Sequence, residues 1–341
     1  MTHIDVNDGP ILQAIQDLIT LSGGAPKTFE GELITQLIQN SLKLMTEGHD
    51  TGQLKLITRA LKEMRYAYRI FNKYPSIRRI SIFGSARTPE NHPDYIAAKT
   101  FSKELADKGW MCITGAANGI MKAGLEGPGQ ESRIGLSIRL PFENVAVSMM
   151  EGDPKHIIFR YFFTRKLMFM SHSDAVAVFP GGFGTLDELF EALTLIQTGK
   201  ANIIPIVLIE GSPGVYWRFW QEYVEQHLLA NGWIGAEDQH LYYIAPSVEK
   251  AVEHIQKFYS RYHSYRYVRE MLVIRMNQPL NHEQVKQLDQ KFRKIVQEGE
   301  IKICDPLEDE SDHLDLPRIV FHHTRRDIGL LRALIDEINS F

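Results

Sequence analysis

The residues best placed to do chemistry lie in Pro180 to Glu188, PGGFGTLDE. Gly181, Gly182 and Gly184 remove side chains from a turn, so backbone can approach a ligand closely and positive φ is free. An apolar run, Ala175 to Phe179, leads in, and an amphipathic pattern, Leu186 to Ile196, leads out. The expectation is strand, glycine turn, helix, with Thr185 as N-cap and Glu188 at the N3 position of a capping box. Amides at such a helix start favour an anion, most often a phosphate. The segment therefore offers an anion cradle with a carboxylate one turn inside it. A plainer alternative stays open on this stretch alone: a glycine turn whose glutamate only caps a helix.

The elements that must position this turn are legible from residue 76 onward. Apolar runs at Ile80–Phe83, Trp110–Thr114, Ile134–Leu140, Ala175–Phe179 and Ile203–Ile209 read as strands, the third closed by Pro141. Helical patterns separate them, at about 95–107, after Gly119, at Phe159–Met170, over 186–196 and at about 215–229, with a last helix over 248–259. Residues 142–157 read as a loop. Alternating strands and helices imply a Rossmann-like parallel sheet with helices on both faces. Ligands bind at the carboxyl ends of such strands. Gly84-Ser85, Gly115, Gly119 and the 181–184 turn all follow strands, so they are expected to line one crevice. The α/β core is expected over 76–265. Residues 1–75 read as a helical extension, in which Leu54, Ile57, Leu61, Met64, Tyr68 and Phe71 form an a/d-type seam. Residues 266–341 read as a small βαββα appendage, with an acidic loop, DPLEDESDHLD, expected to be solvated. That appendage is a candidate regulatory or dimerising element.

Composition narrows the function classes. The chain has 341 residues, 44% hydrophobic and 23% charged, with a net charge of −4. That balance gives no global attraction to nucleic acid or to an anionic membrane. No apolar run reaches the roughly 20 residues of a membrane span. Two cysteines, Cys112 and Cys304, lie far apart and form no metal-ligand spacing or disulfide framework. The start has neither a basic n-region nor an apolar h-region, so a cytoplasmic protein is expected. No metal or cofactor is expected.

Four segments carry a resemblance: IFGSAR (Ile82 to Arg87), TGAANGIMKAG (Thr114 to Gly124), FRYFFTRKLMF (Phe159 to Phe169) and PGGFGTLDELFEALTLIQTG (Pro180 to Gly199). Together they resemble the Lonely Guy family over about residues 76–235, and in particular its longer bacterial branch. These are cytokinin riboside 5′-monophosphate phosphoribohydrolases and bacterial nucleoside 5′-monophosphate nucleosidases, once labelled lysine decarboxylases. The resemblance implies cleavage of an N-glycosidic bond to free base and ribose 5-phosphate. It maps the motif residues onto Arg165, Lys166, Gly181, Gly182, Gly184, Thr185 and Glu188, with Arg165 and Glu188 as the essential pair. It also implies a homodimer or larger homo-oligomer. The chemistry is consistent with those roles. Positive charge grows on the ribose ring as the bond breaks. Glu188 can stabilise that charge or activate water. The amides of Gly182, Gly184 and Thr185 can hold the 5′-phosphate. Arg165 can offset charge on the departing base, contact phosphate, or hold Glu188; all three stay open. Ser85 and Asn118 become ribose or base contacts, and Gly84, Gly115 and Gly119 join them as expected substrate-binding residues.

Bland roles stand beside the sharp ones. Asp187 reads as a partner of the helix dipole, Glu191 as solvated or structural although one turn from Glu188 and so near the crevice, and Phe162, Phe163, Met168 and Phe169 as core rather than a base-stacking box. Where the family usually has consecutive glycines, this sequence has Gly115-Ala116-Ala117-Asn118-Gly119, whose added methyl groups limit backbone approach. A rival of another class is a non-catalytic nucleotide-sensing or molybdenum-cofactor carrier protein of the same fold. The Arg165/Glu188 pair, which a pure binder does not require, favours the enzyme. Pyridoxal-dependent decarboxylation has no residue set to support it.

Overall fold

The computed structural model describes residues 9–140 and 148–341. Pro141, and residues 142–147 of the expected loop, lie outside the described residues. Two compact units divide between Arg65 and Tyr66, inside a helix rather than at Pro75. The first unit holds α1 (Gly9–Leu21), α2 (Phe29–Lys43) and most of α3 (Thr51–Phe71). Thr28 caps α2 by accepting the Gly31 N–H at 3.1 Å, which satisfies one of the orphan donors at the helix start.

The second unit carries a seven-stranded sheet. In chain order its elements are β1 (Arg79–Phe83), α4 (Pro93–Asp107), β2 (Met111–Thr114), α5 (Ile120–Glu126), β3 (Arg133–Ile138), β4 (His156–Phe159), α6 (Phe162–Ser171), β5 (Ala175–Val178), α7 (Phe183–Gln197), β6 (Ile206–Leu208), α8 (Tyr216–Tyr223), β7 (Tyr243–Ile244) and α9 (Val248–Phe258). The strand order is β4-β3-β2-β1-β5-β6-β7, and every pairing is parallel. The fold is mixed α/β and Rossmann-like. Central strands MCIT and AVAV are buried at every position, as strands covered on both faces must be. The order reverses between β1 and β5. That reversal leaves a crevice at the carboxyl ends of these two strands, because their following segments depart to opposite sides.

Short edge strands escaped the sequence pattern. β4 occupies positions expected to be loop and helix, and α6 starts only at Phe162. Phe159 ends the strand, and Tyr161 holds an extended backbone before the helix. Four residues at a sheet edge give too little alternation to identify a strand.

Beyond α9 the chain forms β8 (Tyr262–Val268), β9 (Met271–Met276), α10 (His282–Lys291), β10 (Val296–Ile303), β11 (Arg318–His323) and α11 (Ile328–Ile338). These make an antiparallel sheet of order β10-β11-β9-β8. The pattern is ββαββα, not βαββα. β8 and β9 pair through the turn at Arg269-Glu270, where Arg269 takes a φ of 54°. A left-handed arginine carries no glycine or asparagine signal, so the hairpin was hidden. The acidic loop is also not wholly solvated. Glu310 is buried and accepts from Arg275 Nη2 and Arg318 Nη1, each at 2.7 Å. α11 packs on α7 and on the turn at 236–241, where a Cβ on Gly329 would stand 2.0 Å from the Glu237 carbonyl oxygen.

Candidate active site

β1 and β5 deliver their following loops to the same place. Phe179 N–H donates to the Phe83 carbonyl at 2.8 Å, and Ser85 N–H donates to the Pro180 carbonyl at 3.1 Å. These bonds set the Gly84-Ser85 turn directly against Pro180-Gly181. A cavity of about 870 Å³ opens over the junction. Gly84, Ser85, Gly115, Arg165, Gly181, Gly182, Gly184, Thr185 and Glu188 line it. Residues a hundred positions apart are therefore brought together at the topological switch point.

Three expected contacts do not line the cavity. Asn118 is exposed outside it. Gly119 has a packing role: its φ is +63°, and an added Cβ would stand 2.2 Å from the Ser85 carbonyl oxygen. That same carbonyl accepts the Ile120 N–H at 3.0 Å, which ties the first two glycine loops together. Lys166 sits behind Glu188 in a cluster of carboxylates. The loop after β2 still reaches the cavity through Gly115 and Ala117, despite its alanines. Ala116 absorbs the turn itself, in a left-handed conformation with φ 52°, and turns its methyl into a small core with Leu125 and Met150.

Residues without an expected role also line the wall. Arg87 lies two positions past Ser85, and its N–H donates to Ser85 Oγ at 3.1 Å. Phe162, expected in the core, is 51% exposed and faces the cavity, whereas Phe169 is buried beneath it. With Phe83, Met121, Ile138 and Leu140, these rings form an apolar side. Phe183 stands at the rim, 95% exposed. Arg87 closes the IFGSAR segment, but a lone arginine has no spacing from which a role can be read.

The start of α7 differs from its sequence reading. Gly182, not Thr185, is the N-cap, and it has no side chain to cap with. Thr185 N–H and Leu186 N–H both donate to the Gly182 carbonyl, at 3.0 and 3.1 Å. The Thr185 amide is thus already used, and Phe183 and Gly184 supply the amides that precede the first intrahelical bond. Gly181 must lack a side chain. A Cβ there would lie 2.1 Å from Thr185 Oγ1 and 3.0 Å from the Ser85 amide nitrogen. Gly181→Ala is expected to destabilise the fold by about 1–3 kcal/mol through overpacking. Chemical denaturation of the variant checks this.

Glu188 is 7% exposed on the buried side of the cavity. Burial pushes its carboxyl up to about 7, against the opposing pull of Lys166 and Arg165. Its nearest cation is Lys166, whose Nζ stands 3.9 Å from Glu188 Oε2. A carboxyl that changes charge near neutrality is suited to acid–base or electrostatic work. Arg165 projects from α6 over the Phe162 ring at 4.9 Å and the Phe169 ring at 5.8 Å. Burial lowers the affinity of its guanidinium for the proton, while Glu188 raises it. Arg165 Nε is buried without a hydrogen-bond partner among the described residues. Such a donor is costly to leave unmade, so the site favours an acceptor arriving from outside.

Residues 109–255 match the protein family described as "Possible lysine decarboxylase". The resemblance to the Lonely Guy family stands. Over 99 residues the chain is 31% identical to cytokinin riboside 5′-monophosphate phosphoribohydrolase LOG1 of Arabidopsis thaliana, covering 29% of this chain and 44% of that protein. It is 30% identical over 95 residues to probable cytokinin riboside 5′-monophosphate phosphoribohydrolase LOGL9 of Oryza sativa subsp. japonica, covering 28% of this chain and 40% of that one. The chain thus spans less than half the length of these relatives. Among solved structures, the molybdenum cofactor binding protein of Rippkaea orientalis is 20% identical with a TM-score of 0.39, covering 53% of this chain and 96% of that one. No helix among the described residues is long and apolar enough to cross a membrane.

Proposed function

We propose that this protein hydrolyses the N-glycosidic bond of a nucleoside 5′-monophosphate, releasing free base and ribose 5-phosphate. The observation that carries this reading is the buried Glu188 carboxyl and the desolvated Arg165 guanidinium facing one cavity, with a glycine-cradled helix start at its rim. The phosphoribohydrolase names of the relatives agree with it.

Each part of the substrate finds a matching surface. The 5′-phosphate lies against the amides of Phe183 and Gly184 and the Arg87 guanidinium. The base lies along the apolar wall of Phe162, Ile138 and Leu140. As the bond between base nitrogen and C1′ lengthens, its electron pair leaves with the base and positive charge grows on the ribose ring. The Glu188 carboxylate stabilises that charge. A water oxygen then bonds to C1′, Glu188 accepts the water's proton, and a proton passes on by way of solvent to the departing base, which is released neutral. Arg165 offsets the negative charge on the departing base. Ionised Glu188 is the working form, so the rate is expected to rise as pH passes through about 7 and to level off above it.

Arg87→Gln is expected to raise KM for a nucleoside monophosphate about tenfold or more, the worth of one hydrogen bond to a charged group. Turnover of the parent nucleoside, which has no phosphate, should stay unchanged. Chromatographic release of base from AMP, GMP, CMP, UMP and isopentenyladenosine monophosphate ranks the substrates. No release from any of them, with nucleotide binding retained in calorimetry, overturns the reading in favour of a binding protein. Sedimentation of the purified chain checks the homo-oligomer that the resemblance implies.

A further inference from the structure

One ammonium in this site serves three carboxylates. Lys166 Nζ, on α6, donates to Glu191 Oε2 and stands 2.8 Å from Asp187 Oδ2. Glu188 Oε2 lies farther off, at 3.9 Å. Asp187, Glu188 and Glu191 occupy one side of α7, at spacings of one and three residues. Glu188 is the most buried of the three, with 8% of its side chain exposed against 63% for Asp187 and 33% for Glu191. The charged groups facing Glu188 are Arg165 and Lys166 from α6 and Asp187 and Glu191 from α7. Arg87, from the loop after β1, lines the same cavity.

The arithmetic of these charges is uneven. Two cations on α6 face three carboxylates on α7. When all are ionised, these five groups carry one negative charge in excess, and of the three carboxylates only Glu188 is largely removed from water. The group that gives up its charge most readily is the one with the greatest desolvation and the most distant cation. Both conditions single out Glu188. Glu191, by contrast, holds the Lys166 ammonium directly and draws it away from Glu188.

We propose that Glu191 is a positioning residue: by engaging Lys166 it withholds that cation from the buried Glu188 carboxyl beside it. The proposal rests on the hydrolytic reading of the site for its catalytic consequence but not for its electrostatic one. Removing the Glu191 charge leaves Lys166 shared between the exposed Asp187 and the buried Glu188, and removes one like charge beside Glu188, so its carboxylate form is favoured. Removing Lys166 has the opposite effect.

The test compares the pH dependence of wild type, Glu191→Gln, Lys166→Met and Glu188→Gln in two independent readouts. In the rate of base release, Glu191→Gln is expected to move the Glu188 limb down by about one pH unit or more, and Lys166→Met to move it up, the usual effect of one charge at this range. In urea unfolding between pH 5 and 9, the pH-dependent difference in stability between a protein and its own Glu188→Gln counterpart is expected to shrink in the Glu191→Gln background. A lowered rate with limb and stability curve both unmoved would make Glu191 merely structural and overturn the proposal. If no nucleotide is hydrolysed, the hydrolytic reading fails, and the unfolding curves still decide the Glu191 proposal.

Discussion

Glu188→Gln is expected to lower kcat for base release by about 10³-fold while leaving nucleotide affinity nearly unchanged. Glutamine keeps the shape and the hydrogen-bonding capacity but not the charge. The helix amides and the apolar wall, which hold the ground state, are untouched. What is lost is the interaction that strengthens only as positive charge grows on the ribose, and such a loss falls on kcat. The same variant should be more stable than wild type in alkaline solution. Burial raises the native Glu188 carboxyl from the ordinary 4.5 to about 7. Between those values the native state holds a proton that the unfolded chain has released, so stability falls as pH rises through the window. Above it, wild type bears the full cost of a buried charge and the glutamine variant does not. A gain of about 2–3 kcal/mol is expected at pH 8, fading to nothing below pH 4.5. Urea unfolding at the two pH values checks it. A slow but more stable variant marks a residue kept for chemistry at the expense of the fold.

Arg165→Met is expected to lower kcat/KM by about 10²–10³-fold. Methionine fills much of the space over Phe162 and Phe169, so the packing survives while the charge goes. The direction of the accompanying change in KM identifies the role of the guanidinium. A fall in kcat alone means that Arg165 acts on the departing base. A rise in KM alone means that it grips the ground-state phosphate. Arg165→Met also leaves Glu188 with one cation fewer, which should move the pH limb of the rate upward. Steady-state kinetics over pH 5 to 9 separate these effects.

Much of the framework behind these effects is legible in the residues themselves. Continuous apolar runs such as AVAV and MCIT mark central parallel strands, and glycines just after them mark strand-end loops. The meeting of those loops follows from the strand order, since ligands gather where the order reverses. The exact start of α7 was not legible. Thr185 has the chemistry of an N-cap, yet the Gly182 carbonyl closes the first turn and displaces it. β8 was hidden by a turn built on a left-handed Arg269 rather than a glycine. The place of Arg87 and Phe162 on the cavity wall became visible only in three dimensions, because neither charge nor ring has a periodicity that points to a cavity. The burial of Glu310 was equally hidden, since its partners Arg275 and Arg318 lie on separate strands.

The most direct measurement is the identity and stoichiometry of products when the purified protein is incubated with AMP and with isopentenyladenosine monophosphate, beside Glu188→Gln. Chromatography with mass detection should find free base and ribose 5-phosphate in equal amounts from wild type, and neither above background from the variant. Release of inorganic phosphate with the glycosidic bond intact, or equal base release by wild type and Glu188→Gln, would contradict the account.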